Sequence, residues 1–306
     1  MTEGKSGSKI SEGQTNGRGG VDSGQNRLSV AKTYKIFIGG NFPRTESGRY
    51  LPLVLSDGTV VNICNSSRKD LRDAVVAARK AQDSWSSRSA YNRSQILYRI
   101  AELLEGRKSQ FVEELVKLNV TASHAKKEVL KAIDTIVYYA GWCDKYIQVF
   151  SSVNPVSGSY FNFSIPEPTG IVGLLCDEDG GLVELVSDLL PIITGGNTAV
   201  VHVPIELATI AIDLAEVIQT SDVPGGVINM LPGVRAELLP HFGSHLDINS
   251  VIYAGRNAEE FLQLQSLGAD HVLRIVDRRP AQRRELGPYQ IMDTQEIKTT
   301  WHPVGK

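Results

Sequence analysis

Apolar and polar positions fall into four successive regimes along this chain, each predicting a different kind of element. Residues 1–33 are rich in Gly, Ser, Asn and charge, with almost nothing to bury, and read as a disordered tail or a linker. Short β segments follow at 35–38, 53–55 and 60–63, the last two around the Asp57-Gly58 turn signal. Helical spacing then takes over. Ser67 and Asp70 form a capping box ahead of an apolar face made of Leu71, Ala74, Val75, Ala78, Ala81 and Trp85. A second helix carries Ile96, Leu97, Ile100, Leu103 and Leu104 and stops at Gly106. A third is striped by Val129, Leu130, Ile133, Ile136, Val137 and Ala140. These stripes are expected to be core.

Between residues 150 and 166 the period drops to two. Phe161, Phe163 and Ile165 take one face, Asn162 and Ser164 the other, and residues 154–158 supply a turn. The pattern predicts a protruding hairpin at 151–166 whose exposed edges invite a partner strand. From Ile171 onward, apolar runs (IVGLLC, NTAVVHV, VINMLPG, SVIYAG, HVLRIV) alternate with helical stretches. Continuous apolar strands joined by helical crossovers mean a parallel sheet covered on both faces. The fold class is α/β, a Rossmann-type unit of about five strands behind an N-terminal helical and β segment.

Composition narrows the field only slightly. The 306 residues, 42% hydrophobic and 22% charged, are ordinary for a globular chain with one large core or two modest ones. A net charge of -2 supplies no general field for nucleic acid or anionic lipid. No apolar run approaches a membrane span, and the opening MTEGKSGSK has no signal-peptide core. Cys64, Cys143 and Cys176 show neither CxxC spacing nor a disulfide framework, which suits a reducing cytoplasm.

Four segments in order, EPTGIVG, GGNTAVV, VPGGVINMLPG and DINSVIYAG, resemble the aldehyde dehydrogenase superfamily, as does the terminal EIKTTWHPVG. The resemblance covers residues 34–280 and the end of the chain. It is nearest to the shortened second domain of the family 16 proteins, which follows a full-length dehydrogenase domain in one polypeptide. The resemblance implies a dehydrogenase-like cofactor domain at 34–280 without the catalytic domain, and a junction in the Gly-rich N-terminus. It also implies an oligomerisation strand within 281–306 that joins the hairpin and pairs with a neighbouring subunit. The partners expected are a second copy or a full-length dehydrogenase domain.

Departures from the family pattern decide the expected chemistry. The family's PWNFP loop, whose Asn supports the oxyanion, reads Asp177, Glu178, Asp179, Gly180, Gly181 here, and an ionised Asp179 donates no hydrogen bond. His202 stands at the position of the ribose-binding lysine. The family's GSTEVG becomes Gly255, Arg256, Asn257, Ala258, Glu259, Glu260, with a carboxylate at the second Gly position. A phosphate about 6 Å from one carboxylate meets roughly 3 kcal/mol of repulsion at an effective dielectric near 20. A helix N-terminus returns only about 0.3–1 kcal/mol. Unless the acids turn away or Arg256 compensates, no cofactor is expected, and NAD or NADP is the one to test. Arg274 in LRIVDRRP aligns with the Glu general base of LELGGKSP and cannot accept a proton. The nucleophilic Cys has no counterpart.

The other features have plainer readings. Acids beside Cys176 would raise its thiol pKa and argue against a catalytic role. His241, His245 and Asp247 resemble a metal set, but Gly243 breaks the helical register and no fourth ligand is evident, so a surface loop is expected and no metal. Arg274, Arg278, Arg279, Arg283 and Arg284 form either a solvated loop or a docking patch for an acidic partner. The function expected is that of a pseudoenzyme with a scaffold, assembly or regulatory role. The alternatives are a dinucleotide sensor without chemistry and a part of an NAD(P)-dependent aldehyde oxidoreductase.

Overall fold

The structure, a computed structural model, describes residues 30–280 and 285–305. The expected tail lies almost wholly outside the described residues, as do Arg283 and Arg284. The first sheet consists of β1 (Thr33–Tyr34), β2 (Tyr50–Val54) and β3 (Val60–Cys64), with β3 central. Residues 35–38 do not form the expected strand. Phe37 exchanges backbone bonds with Met230 in one isolated bridge, and Ile38 bonds back to Asn41. Ile36 and Phe37 are buried nonetheless, so their apolar signal records packing and not a ladder.

Helix α1 (Arg68–Ser86) starts where the sequence places it. Ser67 accepts from the Asp70 amide, the Asp70 carboxylate accepts from the Ser67 amide, and all six expected face residues are buried. Helices α2 (Ala90–Gly106), α3 (Lys108–Lys117), α4 (Ala122–Ala140) and α5 (Lys145–Phe150) follow. On α4 the buried line is Val129, Ile133, Ile136 and Ala140. Leu130 and Val137 sit one position off it and are 41% and 39% exposed, which corrects the expectation that the whole stripe is core.

The central sheet has the order β10-β9-β6-β7-β8, all pairs parallel. Its elements are β6 (Ile171–Leu175), α6 (Leu182–Thr194), β7 (Thr198–Val203), α7 (Ala208–Gln219), β8 (Ile228–Pro232), α8 (Arg235–Ser244), β9 (Ser250–Tyr253), α9 (Ala258–Gly268) and β10 (Arg274–Asp277). Every residue of β6, β7, β8 and β9 is buried, as continuous apolar strands require. One apolar core joins the sheet to α2, α4, α6 and α7, and a second joins it to α1, α8 and α9. Each fully buried Leu, Ile or Val in these layers stabilises by about 1.5–3 kcal/mol. Asn197 fixes the entry to β6: its carbonyl oxygen accepts from Gly170 N at 2.8 Å, and its amide donates to Thr294 O at 2.9 Å.

A third sheet is built from β4 (Ser152–Asn154), β5 (Tyr160–Pro168) and β11 (Gln295–Pro303), the last preceded by α10 (Tyr289–Met292). Its order is β11-β5-β4, and β11 pairs with β5 along all nine residues. The long hairpin strand is therefore central, and the edges are β4 and β11. The two faces alternate as the sequence pattern has them, and the polar face is the buried one. Asn162 and Ser164 are buried through bonds linking Asn154, Asn162, Ser164 and Thr299, while Phe161 is 47% exposed.

Candidate functional site

In open parallel α/β sheets, ligands bind beyond the carboxyl ends of the strands where the chain reverses its direction of travel across the sheet. Here β7 and β8 extend to one side of β6, β9 and β10 to the other, so the reversal lies between β6 and β9. The register aligns Asp277, Tyr253, Leu175, His202 and Leu231 in one row at these carboxyl ends. Beyond the row stand the 177–181 loop, Gly255, and the first turns of α8 and α9.

The space beyond the carboxyl ends of β6 and β9 is occupied by Arg235. It is the first residue of α8, and its side chain is only 4% exposed. Its Nη1 donates to Cys176 O at 2.7 Å and its Nε to Glu260 Oε2 at 2.8 Å, while Glu178 completes the ion pair. Tyr253 Oη donates to the same Glu260 oxygen at 2.8 Å. Burial and that carboxylate push the Tyr253 phenol up to about 12. A Cβ built on Gly255 would lie 2.6 Å from Arg235 Nη1 and 2.8 Å from its Cζ. The close backbone approach that a glycine permits is thus used by the chain's own guanidinium.

The acids are neutralised in two groups. Arg256 grips Asp177 with two bonds, Nε to Oδ1 at 2.8 Å and Nη2 to Oδ2 at 3.0 Å, and reaches Asp179 at 3.1 Å. Arg235 holds Glu178 and Glu260. The sequence argues for repulsion between these acids and a phosphate, conditional on Arg256; in the structure Arg256 pairs with Asp177 and Asp179, and Arg235 lies against Gly255. Asn257 caps α9 by accepting from Glu259 N at 2.8 Å, so this helix terminus is served internally.

His202 is buried, with Nε2 donating to Gly233 O at 3.0 Å. Burial depresses its pKa to about 4, so it is a neutral, buried ring. At the start of α6, Leu182 N donates to Glu128 Oε1 at 2.6 Å and Gly181 N to Glu184 Oε2 at 3.0 Å. Donors that could serve an oxyanion are therefore bound to the chain's own carboxylates, and Asp179 is exposed beside them. None of the three cysteines is in a disulfide, and Cys176 is buried.

Arg274 does not reach this site. The register pairs it with Ser250 at the amino end of the sheet, where it donates to Gln295 O at 2.5 Å and Glu296 Oε1 at 2.6 Å. It ties β11 to the central sheet. The side chain at the carboxyl end of β10 is Asp277, which the sequence did not single out. Arg279 bonds both its oxygens, the shorter contact being 2.7 Å, and holds its pKa down.

The arginine cluster is neither a solvated loop nor an open patch over its described part. Arg278 is buried against Asp188 at 3.3 Å and Asp293 at 3.1 Å, and Arg279 stacks 4.4 Å over the Phe261 ring. Among the described residues no group of three or more His, Cys, Asp or Glu side chains is placed to hold a metal ion. His245 Nδ1 instead accepts from Asp247 N at 3.3 Å. No helix of the described residues is long and apolar enough to cross a membrane.

The fold is α/β with a five-stranded parallel sheet, and the chain's own side chains occupy the crevice beyond its switch point. The sequence profile of the Aldehyde dehydrogenase family matches residues 52–259, and the chain belongs to that family. It is 30% identical over 257 residues to Omega-crystallin of Enteroctopus dofleini, covering 81% of this chain and 51% of that protein. It is 28% identical over 250 residues to Aldehyde dehydrogenase 1A1 of Homo sapiens, covering 79% and 49%. The NAD+ complex of the Bacillus cereus aldehyde dehydrogenase superposes with a TM-score of 0.75 at 23% identity, over 80% of this chain and 50% of that one. The chain spans about half the length of the curated relatives it matches.

Proposed function

We propose that this chain is a non-catalytic member of its family, a scaffold or regulatory unit that acts through assembly in the cytoplasm. We assign it to the shortened second domain of the family 16 proteins, with 1–33 as a junction, 34–280 as the cofactor-domain-like body and 281–306 contributing the assembly strand. The observation that carries the reading is Arg235, buried beyond the carboxyl ends of β6 and β9 and against Gly255, where a pyrophosphate would need room. His202 and Glu260 support it, being committed to internal partners. Calorimetric titration with NAD and NADP tests it. No heat is expected at millimolar cofactor, and a saturable signal there, or NADH production from an aldehyde by the purified chain, would replace it with the sensor or oxidoreductase reading.

The assembly part rests on the third sheet. Val153, Tyr160, Phe161, Ile297 and Trp301 are 69%, 50%, 47%, 56% and 60% exposed, and Tyr160 and Trp301 stack edge-on at 5.9 Å. Exposed aromatic and aliphatic side chains clustered on one small sheet are what a partner surface buries. A second copy or a full-length dehydrogenase domain is the proposed occupant. Trp301→Glu should shift the mass measured by light scattering after size exclusion from an oligomer to a monomer. A wild type that already elutes as a strict monomer, and does not co-elute with a full-length dehydrogenase domain, counts against this part alone.

A further inference from the structure

Outside the crevice, cationic and imidazole side chains converge between the first turns of α1 and the end of α8. A cavity of about 480 Å³ is lined there by Arg68, Lys69, Leu71, Arg72, His241, Ser244 and His245, with no carboxylate among them. Counter-charges stand at its rim. Glu46 pairs with Lys69, Asp73 binds Arg72 at 2.9 Å, and Asp247 lies 3.7 Å from Arg79. Arg68 has no hydrogen bond or ion pair among the described residues, and neither does the His241 ring. Burial, and next the charge of Arg68, hold the His241 pKa below its usual value. His245 is also held down by burial, and because its Nδ1 accepts from Asp247 N, its neutral ring carries the proton on Nε2 as a donor.

Arg68 and Lys69 also stand in the first turn of α1, where the helix dipole disfavours cations. Asp70, the acid of that turn, is committed to Thr45 and Ser67 and makes no ion pair with Arg68. A local rule broken without internal compensation is what a binding site looks like.

We propose that this cavity binds a phosphate monoester of a small molecule, with Arg68 as the principal contact and His241 and His245 as further donors. The guanidinium matches the geometry of phosphate oxygens, and a bound dianion would relieve the crowding of Arg68, Lys69, Arg72 and His241. The cavity is open to solvent on one side, and its volume of about 480 Å³ suits a small ligand. The site is separate from the β6/β9 crevice, so it stands or falls independently of the function proposed above.

The test follows the His241 and His245 imidazole signals of the full chain by NMR during titration with inorganic phosphate, then glycerol 1-phosphate, at ionic strength held constant with sodium chloride. Saturable shifts in the millimolar range or tighter are expected, with an upward move of the His241 pKa on binding. Arg68→Ala, at an exposed position, should weaken binding at least about tenfold, with partial recovery in Arg68→Lys. Shifts that grow linearly without saturating, or that persist unchanged in Arg68→Ala, overturn the proposal. So does sedimentation with phosphatidic acid vesicles in the absence of any response to the soluble esters.

Discussion

Arg235→Ala is expected to lower folding stability by about 3–5 kcal/mol, the cost of breaking a buried ion pair by removing one partner. In a domain of this size that corresponds to a melting temperature lower by roughly 6–15 °C. The guanidinium is 4% exposed, whereas Glu178 is 42% and Glu260 21% exposed. Glu178 can turn to water, so its share is small. The loss therefore comes from Glu260, left beside the Tyr253 hydroxyl, from Cys176 O, and from the space vacated against Gly255.

A double-mutant cycle separates these contributions. Arg235→Met keeps most of the volume, and Glu260→Gln removes the charge that Arg235 balances. If the ion pair dominates, the two changes couple by at least about 1.5 kcal/mol and the double variant is more stable than Arg235→Met alone. Urea denaturation of the four proteins measures this, and additive effects would mean that Arg235 acts as filler only. The single Arg235→Ala change should not create NAD binding. It vacates the pyrophosphate position but uncovers two carboxylates, each repelling a phosphate by about 3 kcal/mol at 6 Å and an effective dielectric near 20.

What the sequence disclosed divides along physical lines. Runs such as IVGLL and TAVVHV carry their own evidence, because a strand buried on both faces must be apolar at every position. The capping box at Ser67 is equally local. Helix α3 leaves no such trace, because only Phe111 and Leu115 are buried on it, and two positions one turn apart make no period. In the crevice the acids and Gly255 are visible in the sequence, but their partners are not. Arg235 in VRAELL carries no local sign of its partners, yet it meets Cys176 and Glu260, 59 and 25 positions away, and Glu178. Arg278 likewise meets Asp188, 90 positions away. Charge is written in the sequence, whereas pairing is written in the topology. An arginine therefore looks the same there whether it faces water, a partner or a buried carboxylate.

Asp213→Asn should do the opposite of most core substitutions and stabilise the protein at pH 7.5, by about 2 kcal/mol. Asp213 lies on α7 with its side chain 2% exposed, 3.6 Å from Lys32, and Oδ1 has no hydrogen bond. Burial pushes its pKa up to about 6, with Glu114 and Glu216 adding to the shift and Lys32 opposing it. A carboxyl group whose folded pKa lies above its unfolded value near 4 costs nothing below about pH 4. Its penalty grows from about pH 4 to 6 and is complete above about pH 6. His202 slopes the other way. With its folded pKa depressed to about 4, its contribution is present above about pH 6.5 and lost as pH falls toward 4. In the wild type the two slopes offset each other between about pH 4 and 6. In the Asp213→Asn variant the opposing Asp213 slope is gone, the depressed pKa values of His241 and His245 act in the same sense as His202, and stability should rise more steeply with pH through that window than in the wild type. Urea midpoints at about pH 4.5, 5.5, 6.5 and 7.5 read this directly. A variant no more stable than the wild type at about pH 7.5 would mean that Lys32, although 57% exposed, holds the Asp213 carboxylate ionised without net cost.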